Sequence, residues 1–267
     1  MNDPCAIPVV MTFSGCDSTG GAGVQADIES IASMGCHAAP VITAVTIQNT
    51  HSVSAFQSID AQFLFDQAQA VFDDMPVGAI KIGMVGSVEV AEAICSLLAS
   101  HRSIPVVYDP VLAAGGGGAL SSDELVQTIV EKLCPLTTIL TPNSHEARIL
   151  VPNSHSLDEC GKQLIRYGCQ HVLITGTHEP TAHVSNTLFD KNGVVETFYW
   201  DRLNNSYHGS GCTLASALAG LLARGLDCFT AAHEAQEYTL STLQYGYRIG
   251  DGQHLPNRLY WARHDQT

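Results

Sequence analysis

A run of small residues at 204–213 is the segment of this sequence best suited to hold an anion. It leads directly into a stretch whose leucines recur at helical spacing, at Leu214, Leu218, Leu221 and Leu222. The backbone N–H groups at the start of a helix have no partner within the helix, and the helix dipole adds about half a positive charge there. We therefore predict that this segment binds an anion, phosphate above all.

Cys212 lies in the same predicted turn. A helix N-terminus lowers the pKa of a thiol and favours the thiolate, so Cys212 is a candidate base or nucleophile. A buried, unreactive cysteine is the alternative that the residue type alone leaves open. The chain contains no Gly-Lys-Ser or Gly-Lys-Thr sequence, which excludes a P-loop kinase.

The loop at residues 14–23 follows the first predicted strand and contains four glycines, which let the backbone approach a ligand closely. Within it, residues 21–26 match the G-x-G-x-x-A pattern of dinucleotide-binding proteins. Such proteins carry an acidic residue at the end of the second strand, and residues 41–50 contain none. An oxidoreductase is therefore a weak alternative, beside a plain turn in which Ser or Thr caps the following helix.

Polar side chains also follow three other predicted strands. The amide of Gln48 can donate and accept at once, which suits a heterocycle with an amino group beside a ring nitrogen, although an ordinary loop amide explains it equally. Asp109 can hold a hydrated Mg²⁺ ion or begin an Asp-Pro turn. Asn143 and Glu146 have the spacing of a helix capping box, and the pattern leaves capping and metal binding equally open.

Strand-length apolar runs alternate with helical patterns along the chain, as in an α/β protein. The predicted strands cover residues 7–13, 39–47, 79–82, 104–108, 138–140, 171–175, 184–189 and 194–200. Apolar residues at helical spacing predict helices around 64–72, 90–98 and 214–222. Residues 105–108 are apolar on both faces of their strand, which indicates a mostly parallel sheet covered by helices on each side. The Asn-Gly pair at 192–193 predicts a hairpin and an antiparallel edge.

Composition excludes several classes of protein. A formal charge of −14 and a pI near 5.1 argue against non-specific binding to nucleic acid or to an anionic membrane. The nine cysteines form no C-x-x-C pair and no zinc motif, so we expect reduced thiols and a cytoplasmic protein. The first ten residues lack a signal-peptide pattern, and no apolar run reaches the roughly 18 residues of a membrane span.

Seven segments, taken in order, resemble the hydroxymethylpyrimidine/phosphomethylpyrimidine kinases, a family of the ribokinase-like superfamily. These segments are residues 20–27, 42–50, 81–87, 109–111, 141–143, 146–147 and 208–213. Several motifs in register are more specific than any one of them. The resemblance implies a ribokinase-like three-layer sandwich forming a single domain over 1–267, with ATP as co-substrate, Mg²⁺ as metal, and a homodimer.

The resemblance also implies roles for individual positions. The implied pyrimidine pocket consists of Gly15, Asp27, Gln48, Met84 and Val111. The implied anion hole over the transferring phosphoryl group consists of Gly209, Ser210 and Gly211, which we call the phosphate cradle. Cys212 takes the position of the catalytic Asp of related sugar kinases and is the implied base for the substrate hydroxyl. The implied indirect metal holders are Asp109 and Glu146, and the implied nucleotide contacts are Asn143 and Thr175.

Two positions depart from the family pattern. The family pattern usually has a Lys at the position of Thr175, and a second family Lys corresponds to Gly115. Losing these cations should weaken ATP binding or slow transfer. The implied activity is an ATP-dependent kinase that phosphorylates 4-amino-5-hydroxymethyl-2-methylpyrimidine and its monophosphate in thiamine biosynthesis. The alternatives are a pyridoxine-type vitamin kinase and a catalytically weakened ligand-binding homologue.

Overall fold

The computed structural model describes residues 7–113 and 120–263. Nine strands of the described residues form one sheet: β1 (Val9–Cys16), β2 (His37–Gln48), β3 (Val53–Ser58), β4 (Val77–Ile82), β5 (Val106–Tyr108), β6 (Ile139–Leu140), β7 (His171–Ile174), β8 (His183–Asp190) and β9 (Gly193–Asp201). Eight of them overlap the eight strands predicted from the sequence. The exception is β3, which is made of half-buried and exposed residues and has no apolar run.

The strands lie in the order β3-β2-β1-β4-β5-β6-β7-β8-β9. Pairing is parallel from β2 through β1 and β4 to β7, and antiparallel for β3 at one edge and for β8 and β9 at the other. The predicted hairpin and antiparallel edge are confirmed, because β8 and β9 pair antiparallel with Asp190 opposite Gly193. Gly193 has a φ of 113°, a backbone conformation that favours glycine.

The described residues contain eight α-helices, of which the last two follow the final strand: α1 (Gly23–Ser33), α2 (Ala61–Asp74), α3 (Val88–Ser100), α4 (Asp123–Thr128), α5 (Ser144–Leu150), α6 (Leu157–Arg166), α7 (Ser210–Ala223) and α8 (Cys228–Gln244). Successive residues of a strand point to opposite faces of the sheet. Val10 therefore packs in the core beneath α7 and α8, while Met11 packs in the core beneath α2 and α3. The three-layer α/β architecture is confirmed.

Six of these helices begin with a side chain that accepts a backbone N–H of the first turn, as a good N-cap does. These caps are Asp60, Ser87, Ser122, Asn143, Ser156 and Asp227. Two helices, α1 and α7, begin at Ala22 and Gly209 without a side-chain cap. No helix in the described part of the chain has the length and apolar character that a membrane span requires.

Candidate active site

The predicted site residues collect at one edge of the sheet because they follow the carboxyl ends of neighbouring parallel strands. Gly15 lies near the end of β1 and Gln48 ends β2. Met84 follows β4, and Asp109 follows β5 directly. Asn143 and Thr175 follow β6 and β7. Residues that are far apart in the sequence are therefore neighbours at this edge of the sheet.

A small apolar cluster lies at this edge. A Cβ added to Gly15 would lie 3.3 Å from the sulfur of Met84. The hydroxyl of Thr43 donates to the Met84 carbonyl at 2.5 Å and so fixes the backbone that carries this sulfur. Val111 packs against the same cluster of buried residues, which contains Met84, Ala44 and Leu120. Three of the five predicted pyrimidine contacts are therefore brought together, and they offer a flat ring an apolar, polarisable wall.

The other two predicted pyrimidine contacts lie in different surroundings. Gln48 is half-buried, and its amide makes no hydrogen bond to any other described residue, so its donors and acceptor are available to a ligand. Asp27 has no exposed surface. Its carboxylate accepts from Lys81 at 2.8 Å, from Ser216 at 2.6 Å and from Ser14. This network joins α1 to β1, β4 and α7 beneath the pocket.

Lys81 supplies a buried positive charge to this region. Burial alone would lower the pKa of its ammonium, but the negative charge of Asp27 and the groups of Cys212 and Asp109 raise that pKa above its usual value. Lys81 is therefore a fixed cation under the site, and it has no exposed surface with which to contact a nucleotide phosphate directly.

Cys212 lies in the first turn of α7, beside the Asp109 carboxyl. The expectation that the helix N-terminus lowers its pKa is wrong. Burial raises the pKa of this thiol to about 12, and the charges of Asp109 and Asp27 add to that rise. Lys81 and a hydrogen bond from the backbone of Gly23 oppose it without overcoming it. Loss of hydration outweighs the partial charge of one helix end.

Two buried carboxyl groups lie close enough to interact. Burial raises the pKa of Asp109 to about 6, although Lys81 lowers it. Burial and the charge of Asp109 together raise the pKa of Glu146 to about 8. The Oδ2 atom of Asp109 is buried and has no hydrogen-bond partner among the described residues. A buried, partly unpaired pair of carboxylates fits a divalent cation such as Mg²⁺, which prefers oxygen ligands and keeps several waters.

The capping interpretation of Asn143 is confirmed. Its Oδ1 accepts the N–H groups of His145 and Glu146 at 2.9 and 3.0 Å, and Glu146 Oε2 accepts the Asn143 N–H at 2.8 Å. Glu146 thus serves as both cap and buried acid. Thr175 lies beside Asn143 in an isolated parallel bridge. Gly115, where the sequence lacks a family Lys, lies outside the described residues.

The phosphate cradle is open. Gly209 and Ser210 are half-buried, Gly211 is exposed, and the N–H groups of Ser210, Gly211 and Cys212 donate to no described residue. The conditions predicted for an anion site at a helix start are therefore present. Gly211 lies close to Asp109, because a Cβ added to it would be 3.6 Å from either carboxyl oxygen.

Gly209→Ala should disrupt the cradle far more than Gly225→Ala disrupts the other end of α7. Both glycines have positive φ, at 80° and 90°, so both changes carry a strain of about 1–2 kcal/mol. At Gly209 the new Cβ would also lie 1.9 Å from the Gly21 carbonyl oxygen, whereas at Gly225 nothing lies within 4 Å. Phosphate or ATP binding, measured by calorimetry on folded protein, should be lost in the first variant and kept in the second. Equal binding by both would contradict this account of the cradle.

Asp17 and His208 form a link between the two loops that sequence reasoning missed. His208 Nε2 lies 2.8 Å from Asp17 Oδ2, and Asp17 also accepts from Thr19 and from the Ala22 N–H. Despite burial, these hydrogen bonds lower the pKa of Asp17 to about 2. The only signal in the sequence is that both residues lie within the two glycine-containing loops, because a separation of 191 positions hides the contact.

Because its folded pKa lies below the ordinary value of 3.8, Asp17 should stabilise the protein above pH 4 and lose that effect as the pH falls towards 2. Asp17→Asn should therefore lower the free energy of unfolding on the order of 2 kcal/mol at pH 6, and less at pH 3. Urea denaturation at both pH values measures the difference. Asp201→Asn is the control, because Asp201 faces His183 at 3.7 Å on the surface, and its loss should cost under about 0.5 kcal/mol. If Asp17→Asn lowered the free energy of unfolding equally at both pH values, the ionised Asp17 carboxylate would not be the source of the stabilisation.

The sequence comparisons agree on one family. A sequence model described as phosphomethylpyrimidine kinase matches residues 17–257. The chain is 33% identical over 262 residues to a hydroxymethylpyrimidine/phosphomethylpyrimidine kinase of Staphylococcus aureus, covering 96% of this chain and 95% of that protein. It is 36% identical over 258 residues to the thiamine biosynthesis bifunctional protein ThiED of Geobacter sulfurreducens, covering 95% of this chain. The chain spans 52% of the length of that bifunctional relative.

Solved structures show the same fold. A phosphomethylpyrimidine kinase from Clostridium difficile is 32% identical and superposes with a TM-score of 0.77, covering 89% of this chain and all of that one. An ADP complex of Bacillus subtilis pyridoxal kinase is 25% identical, with a TM-score of 0.87 and coverage of 96% and 99%.

Proposed function

Because this chain belongs to the phosphomethylpyrimidine kinase family, we propose that it transfers the γ-phosphoryl group of ATP to the hydroxymethyl group of 4-amino-5-hydroxymethyl-2-methylpyrimidine, and then to the resulting monophosphate. Residues 1–267 act as a single kinase domain of thiamine biosynthesis. The observation that carries the proposal is the open start of α7, which presents free N–H groups and Cys212 beside the buried Asp109.

The aminopyrimidine lies between the apolar cluster and Gln48. The Gln48 amide pairs with the amino group and adjacent ring nitrogen, since it can donate and accept in one plane. Met84 and Val111 contact the ring faces, and the missing side chain of Gly15 leaves room for the ring edge. Asp27 belongs to this site as the buried support of β1, β4 and α7, because its carboxylate oxygens already bind three protein groups.

Phosphoryl transfer asks a protein mainly for positioning and for stabilisation of negative charge. The N–H groups of the phosphate cradle bind the oxygens of the transferring group, and Asn143 and Thr175 contact the nucleotide. The bond between the γ-phosphorus and the ADP oxygen breaks as the bond to the substrate oxygen forms, ADP leaves, and the thiolate form of Cys212 accepts the hydroxyl proton. Burial leaves Cys212 mostly as the neutral thiol, so the step draws on a small thiolate fraction, which the charge of Lys81 increases by lowering the pKa of Cys212.

Mg²⁺ is the metal that the donor set of this site favours. Asp109, with its unpartnered Oδ2, and the neighbouring Glu146 would hold the ion through its water ligands. When bound, the ion supplies positive charge to the phosphate oxygens of ATP, which the absence of Lys at position 175 makes more important.

Product analysis tests the proposed function. Purified protein, Mg-ATP and the aminopyrimidine alcohol should yield the monophosphate and then the diphosphate, resolved by chromatography and mass spectrometry. Pyridoxine and pyridoxal in parallel assays test the related vitamin-kinase activity, which the likeness to pyridoxal kinase structures favours as second candidate. Phosphorylation of neither alcohol, by protein that binds ATP, would contradict the proposal and favour a silent ligand-binding homologue.

We further propose that the chain forms a homodimer through the face of β2 that carries Val45 and Ile47. These side chains are 45% and 68% exposed and lie two residues apart, so they point to the same side of the strand. Ile47→Asp should convert the dimer to a monomer in light scattering. A wild-type chain that is monomeric at micromolar concentration would contradict this proposal.

A further inference from the structure

Arg258 is the largest of the fully buried side chains in the described residues. It lies beyond the last α-helix, α8, in a segment that no motif marks, and only 2% of its surface is exposed. An arginine keeps its charge in any protein environment, so its burial demands partners for the donors of the guanidinium group.

The guanidinium group reaches both glycine-containing loops and both uncapped helices. Its Nε donates to the Thr213 hydroxyl at 2.9 Å, in the first turn of α7. One terminal nitrogen donates to Glu29 of α1 at 3.1 Å and lies 3.5 Å from the Gly20 carbonyl. The other donates to the carbonyl of Gly21. A single side chain therefore binds the loop after β1 and the start of α7 at once.

The contact with Thr213 determines where the hydroxyl proton points. The Nε–H of Arg258 can only donate, so the hydroxyl oxygen accepts it, and the single hydroxyl proton is left for the Gly209 carbonyl at 2.8 Å. That carbonyl belongs to the same planar peptide group as the N–H of Ser210. Fixing the carbonyl therefore fixes the direction of the first N–H of the phosphate cradle.

The Gly21 carbonyl is also the point where the two loops touch. A Cβ on Gly209 would lie 1.9 Å from its oxygen, so the backbones are in contact there. Because Arg258 binds the same oxygen, the arginine holds the first loop against the cradle. Its own backbone is anchored in turn, since its carbonyl accepts from Ser33 at 2.7 Å and from Tyr238 at 2.8 Å.

We propose that Arg258 is a positioning residue for phosphoryl transfer, acting through Thr213 on the Gly209–Ser210 peptide group and placing a permanent positive charge behind the phosphate cradle. The proposal rests on the proposed kinase activity. Glu29, whose side chain is 41% exposed, only partly offsets the positive charge of Arg258. Arg258 touches no position that the substrate would occupy, so its effect is on the orientation of the groups that do.

A double-mutant cycle of Arg258→Met and Thr213→Val tests the proposal. Each change removes one side chain of the hydrogen-bonded series Arg258–Thr213–Gly209 carbonyl and puts an apolar side chain in its place. Each should lower kcat by about 30- to 100-fold while leaving KM for the pyrimidine alcohol within about twofold, since a misplaced group costs this much without altering the pocket. The double variant should be no slower than the slower single variant, because both act on the same peptide group. If the losses of kcat in the two single variants added up in the double variant, the two residues would act separately and the proposal would be overturned.

A second measurement keeps the test independent of turnover. Amide hydrogen exchange over residues 205–213 should be faster by about tenfold in Arg258→Met. Arg248→Met is the matched control, because Arg248 also donates to backbone carbonyls, at Gly250 and Asp251, and should leave both that exchange and kcat unchanged. A lower melting temperature with wild-type kcat and wild-type exchange over 205–213 would overturn the proposal, as it would show a purely structural arginine.

If Arg258→Met does not fold, Arg258→Lys takes its place, since it keeps the charge and loses the planar fork. It should still lower kcat by about tenfold and speed exchange over 205–213, and wild-type values in both would overturn the proposal. Should the wild-type chain itself phosphorylate no substrate, the kinase proposal fails, while the exchange experiment still decides whether Arg258 orders the cradle.

Discussion

Cys212→Ala should lower kcat by about 10²–10⁴-fold while leaving binding of the pyrimidine alcohol within about threefold of the wild type. The sulfur lies in the first turn of α7 beside Asp109, where its thiolate form can accept the proton of a hydroxyl held under the phosphate cradle. The apolar cluster and Gln48, which bind the ring, are untouched by the change. Single-turnover kinetics and calorimetric titration of the alcohol measure the two quantities separately.

Cys228→Ala is the control for this prediction. Cys228 is half-buried at the start of α8, whose cap is the Asp227 side chain, and burial raises the pKa of its thiol as it does for Cys212. Its replacement should leave kcat unchanged. Wild-type kcat in Cys212→Ala would show that the sulfur is a packing group and that the hydroxyl proton leaves by another route.

Asp109→Asn should lower kcat on the order of 10³-fold and, at the same time, raise the melting temperature of the ligand-free protein. Removing a charge that serves the transition state costs activity of this order. The same carboxylate is buried, with one oxygen unpartnered, so its charge opposes folding when no cation is present. We expect a gain of roughly 2–4 °C by calorimetry, which corresponds to about 1 kcal/mol in a chain of this size.

The response to magnesium separates this explanation from a general loss of structure. Added Mg²⁺ should raise the melting temperature of the wild type and have little effect on Asp109→Asn. Asp158→Asn is the control, because Asp158 pairs with Lys162 on the surface with half of its side chain exposed. A variant at position 109 that loses activity and stability together, at every magnesium concentration, would contradict the assignment.

Much of the site could be predicted because the carboxyl ends of parallel strands lie along one edge of the sheet, so the short motifs that follow these strands lie close together. Gly15, Met84 and Val111 meet for that reason, as do Asn143 and Thr175. Local capping could be predicted too, since the Asn143 and Glu146 pair depends on residues only three positions apart. These features follow from period, spacing and chain direction, which a single sequence contains.

Other features depend on tertiary contacts that spacing does not reveal. Arg258 reaches the loop after β1 across more than 200 residues, and no local pattern distinguishes it from a surface arginine. The wrong pKa expectation for Cys212 has a related origin. Its helix position was visible in the sequence, but the burial that raises its pKa comes from neighbouring elements packed around it.

The first turn of α7 presents three N–H groups that donate to no described residue, so it is a position where any suitable anion can bind. Sulfate or inorganic phosphate in a purification buffer would fill that position and compete with the nucleotide. Apparent affinities for ATP should then vary with the buffer salt as well as with ionic strength. Assays in chloride, titrated with sulfate, would separate simple competition from the screening that every charged site shares.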